Sequence, residues 1–349
     1  MTTRLVLGTI AVPVPMGQQV YEEEVAARAE VALGGDVEVR REIARGLRAD
    51  LPGTVRVPRW LLTRAPGTVR QAVGATLYRG ATAVHRMGLA MPPSRVPEVV
   101  TVHDTVAWRF DDESDPEPFA AAETRRAAAV VSPSKFAADD VAERLGLEHV
   151  HVVHNGVDPR WFDPEPLSAA ERDRLGLPRR YVLHAGGSSR RKNLAGLADA
   201  WPKVRSAHPD VELVLCGPPS GRRSDLFGPL PGTHLAGLVD ADLLPRVVAS
   251  AEAVVVPSLY EGFGLPALEA MAAGVDVVAA NRSSLPEVCG DAGTLVEPDG
   301  ASLADGIVHA LDGDGAAERV RRGRERARQF TWEASAAAHA VIWREVLGL

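Results

Sequence analysis

At 349 residues, 46% hydrophobic and 24% charged, the chain holds material for two ordinary domains of roughly 150 to 180 residues each, which excludes a fibre or a disordered tail. A net charge of -7 and only three lysines exclude a nucleic-acid partner on composition, and arginine dominance is a habit of the whole chain. Two cysteines, Cys216 and Cys289, make neither a disulfide framework nor a CxxC metal site, no run reaches the roughly 18 apolar residues of a membrane span, and MTTRLVLGTIAVPVPMG lacks a signal-peptide pattern, so the expected place is the cytoplasm.

RLVLGTIAV opens the chain as a buried strand. An acidic helix from about Tyr21 to Leu33 follows, and then DVEVR, TVRVP, EVVTVHD, AAVVSPS and HVVHNGVD. Short apolar runs alternating with helical patterns are the rhythm of a parallel sheet flanked by helices. The linker DPRWFDPEPLSAAERDRLGLP, residues 158–178, is rich in proline and charge and marks a boundary. The rhythm restarts with YVLHAGG, VELVLCGP, THLAGLV, AEAVVVPS and VDVVAA, with helices expected from near Asn193, Ala241, Leu265 and Ser302. After an arginine-rich helix near 315–329, the C-terminal segment puts Trp332, Ala336, His339, Ile342, Trp343 and Val346 at helical spacing, so this helix needs a surface to cover. The expected architecture is α/β, with two doubly wound domains facing a central cleft: residues 1–160, to which the helix 331–349 packs back, and residues 161–330.

Residues 40–86 carry ten arginines against Glu42 and Asp50, a local charge of +8. With Trp60, Leu61 and Leu62 among them, the segment reads either as a patch for an anionic membrane surface or as a helix folded on its own domain with solvated arginines. His149, His151 and His154 alternate along one short strand, read as solvent-facing, and no metal-ligand cluster is apparent.

The informative segment is PSLYEGFGLPALEAMAAG, residues 257–274, which runs from a strand end through a glycine turn into a helix. Pro266 fits the first helical turn, Gly274 fits the helix end, and Gly262 and Gly264 leave the backbone open to a ligand. The amides of Phe263 to Ala267 then aim at the helix N-terminus, where an anion such as a diphosphate is favoured. Glu261 before the turn and Glu269 within the helix suit two hydroxyl-rich groups flanking that diphosphate; on spacing alone they could equally be a turn residue and a surface helix residue. HAGGSSRRKNLAGL, residues 184–197, is again strand, glycine turn and helix start, with Arg190, Arg191 and Lys192 ahead of the cap Asn193. Cations at a helix N-terminus are unfavourable unless an anion is shared, so two such turns point to a nucleoside diphosphate.

Over roughly residues 95–335 the sequence resembles the retaining glycosyltransferases of family 4, which have the GT-B fold of two Rossmann-like domains. The resemblance rests on PSLYEGFGLPALEAMAAGVDVV, HAGGSSRRKNL, VSPSKFAADDVAERLGL, VVHNGVD, SSLPEVCGDAGTLVEP and FTWE. It implies an N-terminal acceptor domain and a C-terminal donor domain, with Glu269 on the ribose hydroxyls, Glu261 on the hexose hydroxyls, and Lys192 with Arg191 on the diphosphate. It further implies backbone contacts from Gly262, Phe263, Gly264 and Leu265, a base site at the turn Gly237, Leu238 and Val239, and His103 beside the transferred sugar. Taken by itself, the His103-Asp104 pair at a strand end reads as a helix cap with a polar neighbour. Asn155 and Asp158 are expected to shape the interdomain turn.

There are three departures from the family pattern. Gly187 stands where many relatives carry an arginine, Asp276 stands where proline is usual, and Met16-Gly17-Gln18-Gln19 stands for a glycine pair whose loop helps to close the site over the donor. The RKN form resembles mannosyltransferases, which points to GDP-mannose. The activity implied is front-face transfer of a hexose from a nucleotide diphosphate sugar to a hydroxyl of a sugar, lipid-linked or small-molecule acceptor. It needs no metal and no cofactor beyond the donor itself, and the protein would work in the cytoplasm or at the inner face of the membrane. An epimerase acting on nucleotide sugars, or a non-catalytic nucleotide-sugar-binding component of a pathway, are the other readings.

Overall fold

The computed structural model describes residues 2–12 and 17–349, apart from the side chains of Arg59 and Thr63, and it divides into two compact units: Met1–Gly156 with Trp332–Leu349, and Val157–Thr331. Met16 of the N-terminal loop lies outside the described residues.

In the first unit β1 (Arg4–Ile10), β2 (Glu38–Arg45), β3 (Val55–Arg56), β4 (Ala83–Arg86), β5 (Glu98–Thr101), β6 (Ala129–Ser132) and β7 (His151–Val152) pair in the order β3-β2-β1-β4-β5-β6-β7, all parallel. In the second, β8 (Tyr181–Ala185), β9 (Glu212–Cys216), β10 (Thr233–Gly237), β11 (Ala253–Val256), β12 (Asp276–Ala280) and β13 (Thr294–Val296) pair in the order β10-β9-β8-β11-β12-β13, also parallel. Strands such as Val254, Val255 and Val277 to Ala280 are buried on both faces, which is why they read as unbroken apolar runs. In each sheet the winding direction reverses beside the first strand, leaving a crevice outside the carboxyl ends at that point.

The sequence reading missed β4 and β13. β4 is AVHR, and its His85 and Arg86 are fully buried. The first helix begins at Gly17, four residues ahead of expectation, and the helix expected from Ala241 is Leu244–Ala249. The C-terminal helix Trp332–Leu347 lies against the Gly17–Ala32 helix within the first unit, where Trp332 and Trp343 join its core. Arg28 Nε bonds Glu333 Oε1 at 2.8 Å and Arg344 Nη2 bonds the Leu33 carbonyl at 2.5 Å across that contact.

The arginine-rich segment is not one solvated patch. Arg70 and Arg86 are buried and share Glu123, at 2.9 and 2.7 Å, while Arg86 also meets Glu98 at 3.1 Å. Arg41 pairs with Glu23 and Arg40 with Glu42. His149 and His151 stack edge to face with ring centroids 4.6 Å apart. Among the described residues no group of three or more His, Cys, Asp or Glu side chains is placed to hold a metal ion, and no helix is long and apolar enough to cross a membrane. Cys216 and Cys289 are both free and buried.

Candidate functional site

β8 and β11 are neighbours at the switch point of the second sheet, so the turns that leave their carboxyl ends, residues 186–193 and 257–264, meet although they are distant in sequence. Asn193 ties them together. It sits in the left-handed region (φ 52°), caps the Leu194–Ala207 helix through Gly196 N, and donates from Nδ2 to the carbonyls of Pro257 (3.1 Å) and Pro298 (2.7 Å). Leu259 N closes the contact on the Arg191 carbonyl at 2.7 Å.

This geometry delivers Lys192 and Arg191 to Glu261. Lys192 Nζ lies 2.6 Å from Glu261 Oε1 and Arg191 Nη1 lies 3.1 Å from Oε2, with Lys192 7% and Glu261 6% exposed. Ser258 Oγ donates to the same Oε1 at 2.7 Å, Glu261 N donates to Ser283 Oγ at 2.9 Å, and Ser284 Oγ holds the carbonyls of Glu261 and Phe263. Burial alone would raise the Glu261 carboxyl; the charges of Lys192 and Arg191, with hydrogen bonds from Lys192 and Ser258, outweigh it and hold the group at about 2.

Glu269 is the opposite case. It is half-buried in the Leu265–Ala272 helix, and its carboxylate makes no hydrogen bond or ion pair to the described residues. Burial pushes it up to about 8; Arg160 opposes the rise and Asp158 adds to it. A partly desolvated carboxylate without a hydrogen-bond donor is stabilised by a ligand that supplies one.

The amide expectation is corrected in part. Ala267 N is taken by the Gly264 carbonyl at 3.1 Å and Pro266 has no N–H, which leaves those of Gly264 and Leu265 without a partner among the described residues. Gly264 adopts φ 107° and a Cβ there would stand 2.9 Å from Leu285 Cδ2, so the turn needs glycine for conformation and for space. Phe263 is buried edge to face on Phe330, and Gly262 is half-buried beside it. A Cβ on Gly187 would meet nothing within 4 Å, so packing does not exclude the arginine of the family pattern. Gly237 N-terminal to Leu238 ends β10 at φ 70° and accepts from Gly217 N at 2.8 Å; Leu238 is exposed and Val239 half-buried. The buried Asp276 is matched by Arg319, Nη2 to Oδ2 2.6 Å, which accounts for a carboxylate at that strand start.

Two residues escaped the sequence reading. Arg223, 2% exposed, clamps the turn 186–193 by donating to the carbonyls of Gly186 (2.6 Å) and Pro218 (2.9 Å). His184 gives its Nδ1–H to the Val255 carbonyl at 3.1 Å, so its buried Nε2 is an acceptor without a partner among the described residues; burial first, then the charges of Lys192 and Arg223, lower it to about 4. Neither residue has a sequence signal, because each acts through a backbone contact made only in the fold.

Gly17 and His103 lie in the first unit, Gly17 opening its helix and His103 just beyond β5. His103 Nε2–H donates to the Met87 carbonyl at 3.2 Å and its ring stands edge-on to Tyr21 at 4.8 Å, which leaves Nδ1 an acceptor without a partner among the described residues. Burial lowers His103 to about 4, so it is neutral. Asp104 caps the following turn through Val106 N at 3.1 Å, and Asp158 caps Pro159–Trp161 through Arg160 N at 2.8 Å.

Residues 18–161 match the model Glycosyltransferase Family 4, and residues 179–313 match Glycosyl transferases group 1. Similar curated proteins include O-antigen chain mannosyltransferase B of Escherichia coli, 40% identical over 44% of this chain and 42% of its own length. Glycogen synthase of Mycobacterium tuberculosis is 32% identical over 71% of this chain and 63% of its own. The MMP alpha-(1->4)-mannosyltransferase of Mycolicibacterium hassiacum is 33% identical over 62% and 54%. The chain thus spans 42 to 63% of the length of these relatives. Among solved structures, the sucrose-phosphate synthase of Thermosynechococcus elongatus matches with TM-score 0.76 at 22% identity over 99% of both chains. Anabaena HepE in complex with UDP and glucose matches with TM-score 0.75 at 20% identity over 98% of this chain and 99% of its own. With a glycosyltransferase domain model on each of two parallel-sheet units, the chain is of the glycosyltransferase family 4 type and has the GT-B fold.

Proposed function

We propose that the protein is a retaining hexosyltransferase that moves a hexose, first of all mannose from GDP-mannose, to an acceptor hydroxyl without a metal ion. The observation that carries this reading is the buried Lys192-Arg191-Glu261 cluster at a sheet switch point, with Glu269, which has no partner among the described residues, in the helix that directly follows. Lys192 and Arg191 take the diphosphate together with the amides of Gly264 and Leu265. Glu261 accepts the hexose hydroxyls, Glu269 the ribose hydroxyls, and the turn Gly237, Leu238 and Val239 meets the base. The neutral His103 accepts a hydroxyl through Nδ1. The names of two relatives, an O-antigen chain mannosyltransferase and an MMP mannosyltransferase, support mannose.

The acceptor oxygen attacks the anomeric carbon on the face from which the diphosphate leaves, the bond from that carbon to the phosphate oxygen breaks, and the acceptor proton passes to the departing phosphate. Negative charge grows on the leaving group, where two cations and two amides are already oriented, so little reorganisation is needed as the bond breaks.

The test is a melting-temperature panel with GDP, UDP, ADP and TDP. A ligand bound only to the native state at a hundredfold excess over its dissociation constant adds about 2.7 kcal/mol. A shift with one diphosphate, lost in Lys192→Ala and Glu269→Ala, supports the donor site; release of that diphosphate from its sugar only when an acceptor is present supports transfer. No shift with any of the four would overturn the reading.

A further inference from the structure

The inner side of the turn 186–193 is held by a cation that has no counter-ion. Arg223 is 2% exposed and spends its guanidinium on backbone carbonyls alone: Nη1 donates to Pro218 at 2.9 Å, and Nη2 donates to Gly186 at 2.6 Å and to Gly187 at 3.4 Å. Its Nε is buried without a partner, and no carboxylate pairs with it among the described residues. Arg86 shows the contrast. Arg86 is also buried, yet Glu98 and Glu123 raise it above the ordinary guanidinium value in spite of that burial, whereas burial lowers Arg223 and no carboxylate opposes it. Carbonyl dipoles solvate a buried charge without cancelling it, so the field of Arg223 extends through the low-dielectric turn to its other side.

On that side lies a pair of amides. A trans peptide points its N–H away from its C=O, so with the carbonyls of Gly186 and Gly187 turned toward Arg223, the N–H groups of Gly187 and Ser188 turn away from it. Neither has a partner among the described residues, whereas Gly186 N is spent on the Cys216 carbonyl at 3.0 Å. Two successive amides backed by a cation make a concavity for an anion. The same field reaches His184, which is lowered by burial first and then by the charges of Lys192 and Arg223, and whose Nε2 lies 3.5 Å from the point where a Cβ on Gly186 would stand. Gly187, where the family pattern has an arginine, has open space for a side chain.

We infer that Arg223 is a positioning residue for the donor's diphosphate: it turns the amides of Gly187 and Ser188 outward and supplies, from the inner side of the turn, the positive charge that Gly187 lacks. The inference rests on the transferase reading and adds to it a cation that lies outside both glycine-turn motifs.

Isothermal titration of the full chain with GDP, UDP, ADP and TDP is the test. Arg223→Gln keeps a donor and loses the charge, so affinity for the diphosphate that wild type binds should fall about tenfold. Arg223→Lys gives up the fork and keeps the charge, so it should stay within about threefold of wild type. Gly187→Arg added to Arg223→Gln should bring affinity back to that range, which a clamp working only through the carbonyls of Gly186 and Pro218 would not allow. Wild-type affinity in Arg223→Gln overturns the inference, as does a double variant no tighter than Arg223→Gln. Should the glutamine variants not fold, Arg223→Lys decides: retained affinity supports the charge, and a tenfold loss overturns it. A wild-type chain that binds none of the four removes the transferase reading and this inference together, whereas binding that is indifferent to Arg223 removes this inference alone.

Discussion

Lys192 Nζ and Glu261 Oε1 are 2.6 Å apart in a buried turn, so the carboxylate proposed for the hexose neutralises the cation proposed for the diphosphate. In the proposed function the donor's phosphates and Glu261 compete for Lys192. In Glu261→Gln the competitor is gone, and affinity for a sugar-free nucleoside diphosphate should rise about tenfold while transfer falls about 100-fold. Removing one partner of a buried pair should also cost roughly 3–5 kcal/mol of stability without nucleotide. Calorimetric titration of the variant decides the point: diphosphate affinity equal to or below wild type would show that Glu261 does not hold the cations back.

Glu269 should destabilise the fold that contains it. Its folded value is raised to about 8 above an ordinary carboxylate, so stability is fully present below the unfolded value and is lost as pH rises through 8. Glu269→Gln should then melt higher than wild type near pH 8, by about 2–4 °C for each kcal/mol recovered, and equally at pH 4, while nucleotide binding weakens. A variant that melts lower at pH 8 would show the carboxylate to be satisfied.

A directed chain of hydrogen bonds underlies the first unit. Trp343 Nε1–H donates to His85 Nδ1, leaving His85 Nε2–H to donate to Thr101 Oγ1, whose hydroxyl donates to Tyr21 Oη. Tyr21 then donates to His339 Nε2, because His339 Nδ1–H is spent on the Ser335 carbonyl. Both histidines must be neutral: burial lowers His339 to about 4, and burial, with the neighbouring His339 and His103, lowers His85 well below the ordinary histidine value. Depressed values mean that stability is present above the unfolded histidine value near 6.5 and is lost as pH falls toward 4. Melting temperature should drop over that window, and His339→Leu should flatten the drop while costing about 1–3 kcal/mol at pH 7 for the stranded Tyr21 hydroxyl.

Gly217 sits outside the paired-glutamate and phosphate-turn motifs, yet it has φ 137° and a Cβ there would stand 2.0 Å from the Gly186 carbonyl oxygen. Gly217→Ala should strain the backbone by about 1–3 kcal/mol and displace the phosphate turn. Nucleoside diphosphate affinity should fall even though no group at that position is proposed to touch ligand; titration of the folded variant reads the effect, and unchanged affinity would separate the two turns.

The fold was legible because buried parallel strands must be apolar throughout: VELVLC, AVVV and VDVVAA announce themselves, and the winding rules then order the sheet. β4 was hidden for the complementary reason. Its Arg86 is tolerable in a core only because Glu98 and Glu123 arrive from elsewhere in the chain. Glu123 likewise takes Arg70 of the +8 segment into the core, so two of its ten arginines are buried in ion pairs that the sequence did not announce.

At the candidate site the sequence by itself determined the residue types and the two glycine turns, because local backbone chemistry restricts what can stand at a strand-to-helix junction. Only the tertiary structure decided that Lys192 closes on Glu261, that Glu269 finds no partner among the described residues, and that Arg223 and Gly217 brace the turn 186–193. Charges and hydrogen-bond donors act over a few ångströms of space rather than along the chain, and periodicity carries no record of which distant groups will share that space.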